Sequence, residues 1–432
     1  RLDGGKSWYT SQGHNQSSFT SETDFQQSIE NGLLWSLGST TVYGELKKWH
    51  KVTIKFTDDE TYTEIGTPNP FLDRRLNVTF SHASSGKSYV VPGYFAADGN
   101  AAETSAKSGN KWHVHFAPDE EGTWTYSASF REGTGVAVTY PSSVSDGSSS
   151  SGIDGQTGTF TISATDKSLP DNRAKGRLMY DGTHYPKFSE TGEYFIKAGP
   201  DSPENLLAYN DFDDVFSGGV DYRKDYTNHV SDWQSGDPLW QTTKGKGIIG
   251  AINYLTSVGM NSLSFLTMNK NFGDTFDVAM FVDSGDGINT IADYTRYDVS
   301  RIAQWEIVFE HADKKGMFLH FKTQEQENAA QLGGSGAILG NSERKLYYRE
   351  LVARFGHHLA LNWNMGEENE GNAGQSGLVT TTERIAQLEY VKDIDPYQHL
   401  RVVHSGASSA MQDAMYDQLL GGLSELMGVS LQ

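Results

Sequence analysis

The stretch Leu359-Ala-Leu-Asn-Trp363-Asn-Met-Gly366-Glu367-Glu368-Asn369 sets two adjacent carboxylates directly after an alternating apolar run that reads as a buried strand. In an α/β barrel the carboxyl ends of the strands are where active sites collect, so a carboxyl group there speaks for catalysis over packing. Trp363 is the kind of side chain on which a sugar ring stacks, and Asn364 and Asn369 carry amides that hydrogen-bond hydroxyls. Sugar chemistry is the first reading. The plainer one is that Glu367-Glu-Asn-Glu370 opens a solvated loop.

Working outward, strand and helix signals alternate from Tyr194 onward. Strands are expected at Tyr194–Lys197, Ser262–Leu266, Met317–Phe321, Leu359–Trp363, Leu400–Val403 and Met427–Leu431. Helical patterns lie between them, at 248–258, 299–315 and 342–358, and a fourth opens on the capping box Thr380-Thr-Thr-Glu383. Repeated βα units predict a parallel sheet, closed as a barrel or open and doubly wound. A barrel is favoured because no glycine-rich phosphate turn follows the first strand, while long polar loops do. Six barrel strands are visible, two short of a closed eight.

The region before this differs in character. Lys51–Phe56, Leu76–Phe80, Lys111–Phe116, Gly122–Tyr126 and Gly158–Ile162 alternate with period two between turn residues, which predicts an antiparallel β-sandwich over 44–168. Trp112 and Trp124 fall on its core side, and Trp305 on the apolar face of a helix. Residues 1–43 read as a polar leader or extra strands with an apolar patch at Leu33-Leu34-Trp35, and 169–432 as the barrel, entered through a hairpin around Asp181-Gly182.

The 432 residues carry 55 Asp plus Glu against 35 Lys plus Arg, a formal net charge of -20, which disfavours nucleic acid and anionic membranes as partners. Together with 46 Gly, 21 Tyr, 21 Phe and 9 Trp, this suits a protein that handles polysaccharide or oligosaccharide. Cysteine is absent, so disulfide, thiol and thiolate-metal chemistry are excluded. No apolar run is long enough to span a membrane. The first residue is not Met, and export with a removed signal, to a secreted, periplasmic or cell-surface location, is the expectation.

Hydrolysis of a glycosidic bond typically uses two carboxyl groups, a proton donor and a nucleophile or base. Glu368 is the candidate donor. Other strand ends carry polar residues that would converge on one rim: His320, Lys322 and Gln324 after strand three, Asn269 after strand two, His404 after strand five, and Glu204, Asn205 and Tyr209 after strand one. Trp233 and Trp240, in a turn-rich loop, either stack on sugar rings or pin the loop. No cofactor is expected. The 13 His residues form no His-Glu-x-x-His arrangement, and His357-His358 reads as a polar helix end. Asp211-Phe-Asp213-Asp214 and Asp283-Ser-Gly-Asp286 suggest at most a structural Ca²⁺, and neither has EF-hand spacing. No Gly-x-Ser-x-Gly elbow supports serine hydrolysis.

Three runs, 193–209, 318–325 and 355–369, resemble a group of bacterial secreted proteins in which an immunoglobulin-like domain of unknown function precedes a glycoside-hydrolase-like (β/α)8 barrel. The run Trp363-Asn-Met-Gly-Glu-Glu368 is also similar to the strand-four Trp-x-x-Gly-Asn-Glu of the retaining β-glycosidase superfamily, clan A. The resemblance implies that Glu368 is the acid/base, with Glu367 where the superfamily has an Asn that contacts a sugar hydroxyl. It also implies a nucleophilic Glu ending strand seven. No strand seven is visible, and Glu325 and Glu425 lie near strand three and before strand six. The partner is therefore expected beyond Gln432, with this chain a fragment. A non-catalytic carbohydrate-binding or adhesion protein is the alternative, followed by a polysaccharide lyase using Lys322, His320 or Tyr209 on a uronate.

Overall fold

The computed structural model describes residues 41–149, 152–201, 205–215, 223–269, 278–283, 291–329, 331–332, 342–369 and 379–431. Most of the leader, the patch at Leu33–Trp35, Glu204 and Asp286 lie outside the described residues.

The first half forms two antiparallel sheets. One has the order β1 (Thr41–Tyr43), β2 (Val52–Thr63), β6 (Ser108–Phe116), β5 (Tyr94–Phe95). The other runs β4 (Lys87–Pro92), β3 (Arg74–His82), β7 (Gly122–Glu132), β8 (Ser148–Ser149), with β9 (Thr157–Ile162) also paired to β7. Alternation puts Ile54, Phe56, Val78, Phe80, Trp112, Val114, Trp124 and Phe130 inward, all buried. The sheets meet through those side chains, with Phe80 stacked on Phe116 at 4.2 Å and Trp112 edge-on to Phe130 at 4.8 Å. Period-two patterning leaves the outer face of the second sheet largely to solvent, whereas the outer face of the first is buried at Thr53, His113 and His115.

A short hairpin, β10 (Leu178–Met179) with β11 (Lys187–Phe188), leads into the second half. There β12 (Ser262–Leu266), β13 (Phe318–Lys322), β14 (Leu361–Asn364), β15 (Leu400–Ser405) and β16 (Gly428–Leu431) make one parallel sheet in strictly sequential order. Among the described residues strand order does not reverse, as a doubly wound sheet would require. Single-turn helices α1 (Ala101–Thr104) and α2 (Asn172–Lys175) precede the longer α3 (Lys246–Ser257), α4 (Val299–Lys314), α5 (Ser342–Phe355), α6 (Thr381–Ile394) and α7 (Ser409–Tyr416). None of these is long and apolar enough to cross a membrane. Helix α4 turns Ile302, Trp305, Val308 and Ala312 to the core, and α6 begins with the Thr380–Glu383 capping box formed in full.

One expected strand does not form. Tyr194–Lys197 makes a single bridge, Tyr194 to Lys187, in place of a ladder. The segment is tied to the sheet by the Asn261 side chain, which accepts from Ala198 N–H at 2.7 Å and donates to the Ile196 carbonyl at 2.9 Å. It crosses β12 so closely that a Cβ on Gly199 would lie 2.3 Å from the Ser262 carbonyl oxygen, and Pro200 then removes a ladder donor. The parallel sheet accordingly has five strands among the described residues.

The two halves share one core. A single apolar cluster contains Val52 and Phe56 at one extreme and Val391 and Val403 at the other. Phe71 packs edge-on against Tyr297 at 5.2 Å, Glu64 accepts the first N–H of α4 at 2.7 Å, and Arg349 and Arg354 donate to the carbonyls of Leu76 and Phe95.

Candidate functional site

Register sorts the sheet residues into two faces. Ser264, His320 and Asn362 lie side by side, as do Leu266, Lys322, Asn364 and Val402 one step further along. This polar face opens on a cavity of about 350 Å³ bounded by Phe195, Lys197, His320, Asn362, Val402 and Ser430. The opposite face, with Phe265, Phe321, Leu361 and Trp363, packs on α4 and α5, where Phe265 stacks on Phe309 at 5.0 Å and Phe321 on Phe355 at 5.6 Å.

At the carboxyl end of the polar face the Lys322 amino group is fully buried, 3.0 Å from Glu367 Oε1 and 3.3 Å from Asp201 Oδ2. His320 lies one step back. Its Nδ1 is 2.9 Å from Lys197 Nζ and 3.2 Å from Ser264 Oγ, and its Nε2 is 3.1 Å from Asn364 Nδ2. Burial, then the charges of Lys197 and Lys322, hold the His320 pKa well below the usual imidazole range, so the ring is neutral. Burial would raise the Asp201 carboxyl, but Lys322, Ser264 and Lys197 outweigh it and the pKa is lowered.

Beyond β14 the chain leaves the strand. Gly366 has φ +127° and packs so tightly on Asn369 and Gln324 that a Cβ would come within 3.0 Å of the Asn369 amide nitrogen. Glu367 N–H donates to the Gln324 carbonyl at 2.9 Å, which turns its side chain inward to Lys322. Glu368 is half-buried with φ +40°, a left-handed conformation that a residue with a Cβ adopts only at a cost. His404, at the end of β15, holds this turn: its Nδ1 accepts from Glu368 N–H at 3.2 Å and its carbonyl from Asn369 N–H at 3.0 Å. The two glutamates are therefore unequal because of a turn, not because of strand alternation.

The structure thus brings Glu367, Glu368, His320, Lys322 and His404 to one rim, and separates others from it. Trp363 is 1% exposed on the helix face, with Nε1 donating to Asp395 Oδ2 at 3.1 Å; strand alternation between Asn362 and Asn364 forces it away from the cavity. Tyr209 and Trp240 belong to a buried aromatic cluster with Phe212, the Tyr209 hydroxyl donating to Asp211 and the Trp240 indole to the Asp211 carbonyl. That leaves a lyase without Tyr209 as its base. Trp233 is half-buried under Lys246, whose ammonium lies 4.8 Å from the ring centre. The Gln324 side chain accepts from Arg344, and the Asn369 side chain accepts from Arg384 Nε at 2.8 Å, so both brace the turn. Asn269 lies three residues past β12, buried and bridged to Val278. Glu325 caps the following helical turn, and Glu425 pairs with Lys392 at 2.6 Å. Asp211, Asp213 and Asp214 diverge to Gly245, Lys244 and Lys107 instead of converging on a cation.

Sequence reasoning missed Lys197, Asp201, Ser264 and Asn362. Asn362 Oδ1 has no hydrogen-bond partner among the described residues although it is buried beside the cavity. The signal was present in the strand itself, where Asn362 and Asn364 alternate with apolar residues. Lys197 and Asp201 gave no such signal, since they arrive on a segment without regular structure.

Residues 45–131 match a family profile described as a domain of unknown function, DUF5060. No curated protein matches the chain. Among solved structures it is similar to a candidate glycoside hydrolase of Bacteroides vulgatus ATCC 8482, with 17% identity and a TM-score of 0.57, over 89% of this chain and 59% of that one. The likeness is one of fold, and the chain spans about three fifths of that protein's length. A glycoside hydrolase family 5 structure from the same organism (14% identity, TM-score 0.34, 56% of this chain and 42% of that one) superposes more loosely. So does a further glycoside hydrolase (16%, 0.34, 56% and 44%), and neither bears weight here.

Proposed function

We propose that this chain is the substrate-binding and acid/base part of a glycoside hydrolase acting on a polysaccharide by a retaining mechanism, with Glu368 as general acid/base. The N-terminal sheets are read as an immunoglobulin-like sandwich over 44–168, and the parallel sheet as part of a (β/α)8 barrel whose polar face is its interior. One observation carries the reading: a half-buried carboxylate stands on a strained turn at the carboxyl end of β14, above a face made of His320, Lys322, Asn362 and Asn364. Strain at a strand end is typical of functional positions. The open acceptor on Asn362 and the donors on Lys197 suit the hydroxyls of a sugar. Glu367, tied to Lys322, positions that lysine beside the rim instead of serving as a second free acid. A polymeric substrate too large to cross a membrane puts the reaction at the cell surface or beyond.

The test is a polysaccharide panel with the protein carrying this chain and its Glu368→Gln variant. Loss of the proton donor should lower turnover about 10²–10⁴-fold on natural glycans. An aryl glycoside whose leaving group needs no proton should keep its first, bond-breaking step. Unchanged release of reducing ends by the variant overturns the assignment. Non-catalytic glycan binding is the second reading, favoured by Asp201 and Glu367 both being engaged with Lys322. It predicts retention of glycan by the wild-type protein with no new reducing ends.

A further inference from the structure

At the amino end of the parallel sheet, away from Glu368, a second group of ionisable side chains is buried. His357 and His358 follow α5 and lead into β14, and Glu306 reaches them from α4. His357 Nε2 is 2.9 Å from Glu306 Oε1, and His358 Nε2 is 3.1 Å from Glu306 Oε2. One ligand atom from each of the three residues falls within 4.8 Å of the others. Both ring nitrogens of His357 are buried; Nε2 meets the Glu306 carboxylate, while Nδ1 makes no hydrogen bond among the described residues. The group faces a cavity of about 230 Å³ whose wall includes His50, Lys51, Glu310 and Asp313.

We propose that Glu306, His357 and His358 bind a divalent transition-metal ion, of which Zn²⁺ suits the donors best. Two imidazoles and a carboxylate are a known zinc donor set, completed by water in the fourth position, and the cavity supplies room for it. Ligands about 2.0–2.1 Å from a tetrahedral ion stand roughly 3.3 Å apart, so the two His–Glu306 contacts, each to a different carboxylate oxygen, need to widen by a few tenths of an ångström, and all three ligand atoms already lie within 4.8 Å. His358 already shows the supporting contact of such sites, with Nδ1 2.8 Å from Asp313 Oδ2, which fixes the ring and leaves Nε2 for the metal. Lys51 Nζ, 3.0 Å from Glu306 Oε1, is the competing cation, and it has Glu310 as a second partner to hold it when the ion takes over Glu306.

The ion would be structural. In barrel-type sheets the amino end serves stability while the carboxyl end carries chemistry. The site lies where the halves of the molecule join, with the His115 ring of β6 4.8 Å from His357 and Lys51 at the start of β2. Sequence spacing could not show it, because Glu306 is remote from the histidine pair and no compact metal motif exists.

The full chain, stripped with a chelator, is titrated with Co²⁺ and with Zn²⁺ at moderate salt, which suppresses loose attraction to its acidic surface. The expected result is one ion per chain, the visible absorption of four-coordinate cobalt, and a rise in Tm with zinc. His357→Ala and Glu306→Gln should abolish all three, while Asp313→Asn weakens zinc about 10–100-fold. His50→Ala, on the far wall, should leave them unchanged. Circular dichroism shows that each variant is folded, and Glu306→Gln keeps the side-chain shape should the histidine variant not fold. Absence of a stoichiometric ion in the wild type, or the same stoichiometry and spectrum in Glu306→Gln, overturns the proposal and leaves the cluster a buried charge network.

Discussion

The two faces of the parallel sheet are made by the same strands and have opposite chemistry. On the helix face Phe265, Phe321 and Trp363 are closed over by Phe309, Phe355 and the α6 end; polar atoms there are few, and the Trp363 indole finds Asp395. On the cavity face Ser264, His320, Lys322, Asn362 and Asn364 bury charge and amides beside Phe195, Phe318 and Val402. Removing such groups from water costs free energy unless partners are supplied, so this face detracts from stability where the other contributes. On the function proposed above, this face is kept for what it binds. The comparison makes stability and function separable by residue parity along a single strand.

The largest break in that comparison should come from Trp363→Ala. It empties a fully enclosed ring site and should cost about 3–5 kcal/mol in denaturant unfolding. Glycan binding measured on the fraction that stays folded should be little changed. A weakened glycan affinity with unaltered stability would show that the ring faces sugar after all.

Lys322→Met should rank next. Breaking a buried ion pair costs about 3–5 kcal/mol, but Asp201 is largely in water, so a loss of about 2–3 kcal/mol is expected, arising from the stranded Glu367. The double variant Lys322→Met with Glu367→Gln should recover part of it, because the uncompensated charge is gone. A double variant no more stable than the single one would mean that Glu367 is not the source of the cost.

The helix face was legible in the sequence because burial and period coincide there: apolar residues at strand period, Trp305 and its neighbours at helical period, and the Thr380–Glu383 box all report local rules. The cavity face was legible only in part. His320 and Lys322 stood out as polar residues at strand spacing, whereas Trp363 was misread as a sugar platform because its neighbours in sequence were weighed above its parity. Tyr194–Lys197 had the composition of a strand, and its failure to pair depends on Asn261, distant in sequence. Lys197 and Asp201 reach the rim only through that tertiary arrangement, which no local pattern encodes.

Acid should act on the cavity face as well. His320 is neutral in the folded protein because burial and the neighbouring lysines lower its pKa. An unfolded histidine protonates near pH 6.5, so this contribution is complete above that pH and is lost as pH falls below it, by up to about 1.4 kcal/mol per pH unit. His113 and His115, also held low by burial, add to the slope. His320→Gln should reduce the slope by one histidine's share in unfolding curves taken from pH 7 to 5; an unchanged slope would mean that His320 is charged when folded.

The smallest effect tests how the two faces communicate. Thr380→Ala removes the side-chain acceptor for Glu383 N–H at the start of α6 and should cost about 1 kcal/mol, the usual worth of such a cap. Helix α6 lies on the helix side of the sheet, yet its Arg384 reaches the Glu368 turn, donating to both the side chain and the carbonyl of Asn369 at 2.8 Å. If the cap serves only the helix, Thr380→Ala lowers Tm by a few degrees and leaves glycan affinity and turnover alone. If the first turn of α6 also fixes Arg384, turnover falls while glycan affinity holds, since a displaced acid misplaces the proton without removing the binding face. Arg384→Lys separates the two cases, because it keeps the charge and the helix but loses the paired geometry on Asn369.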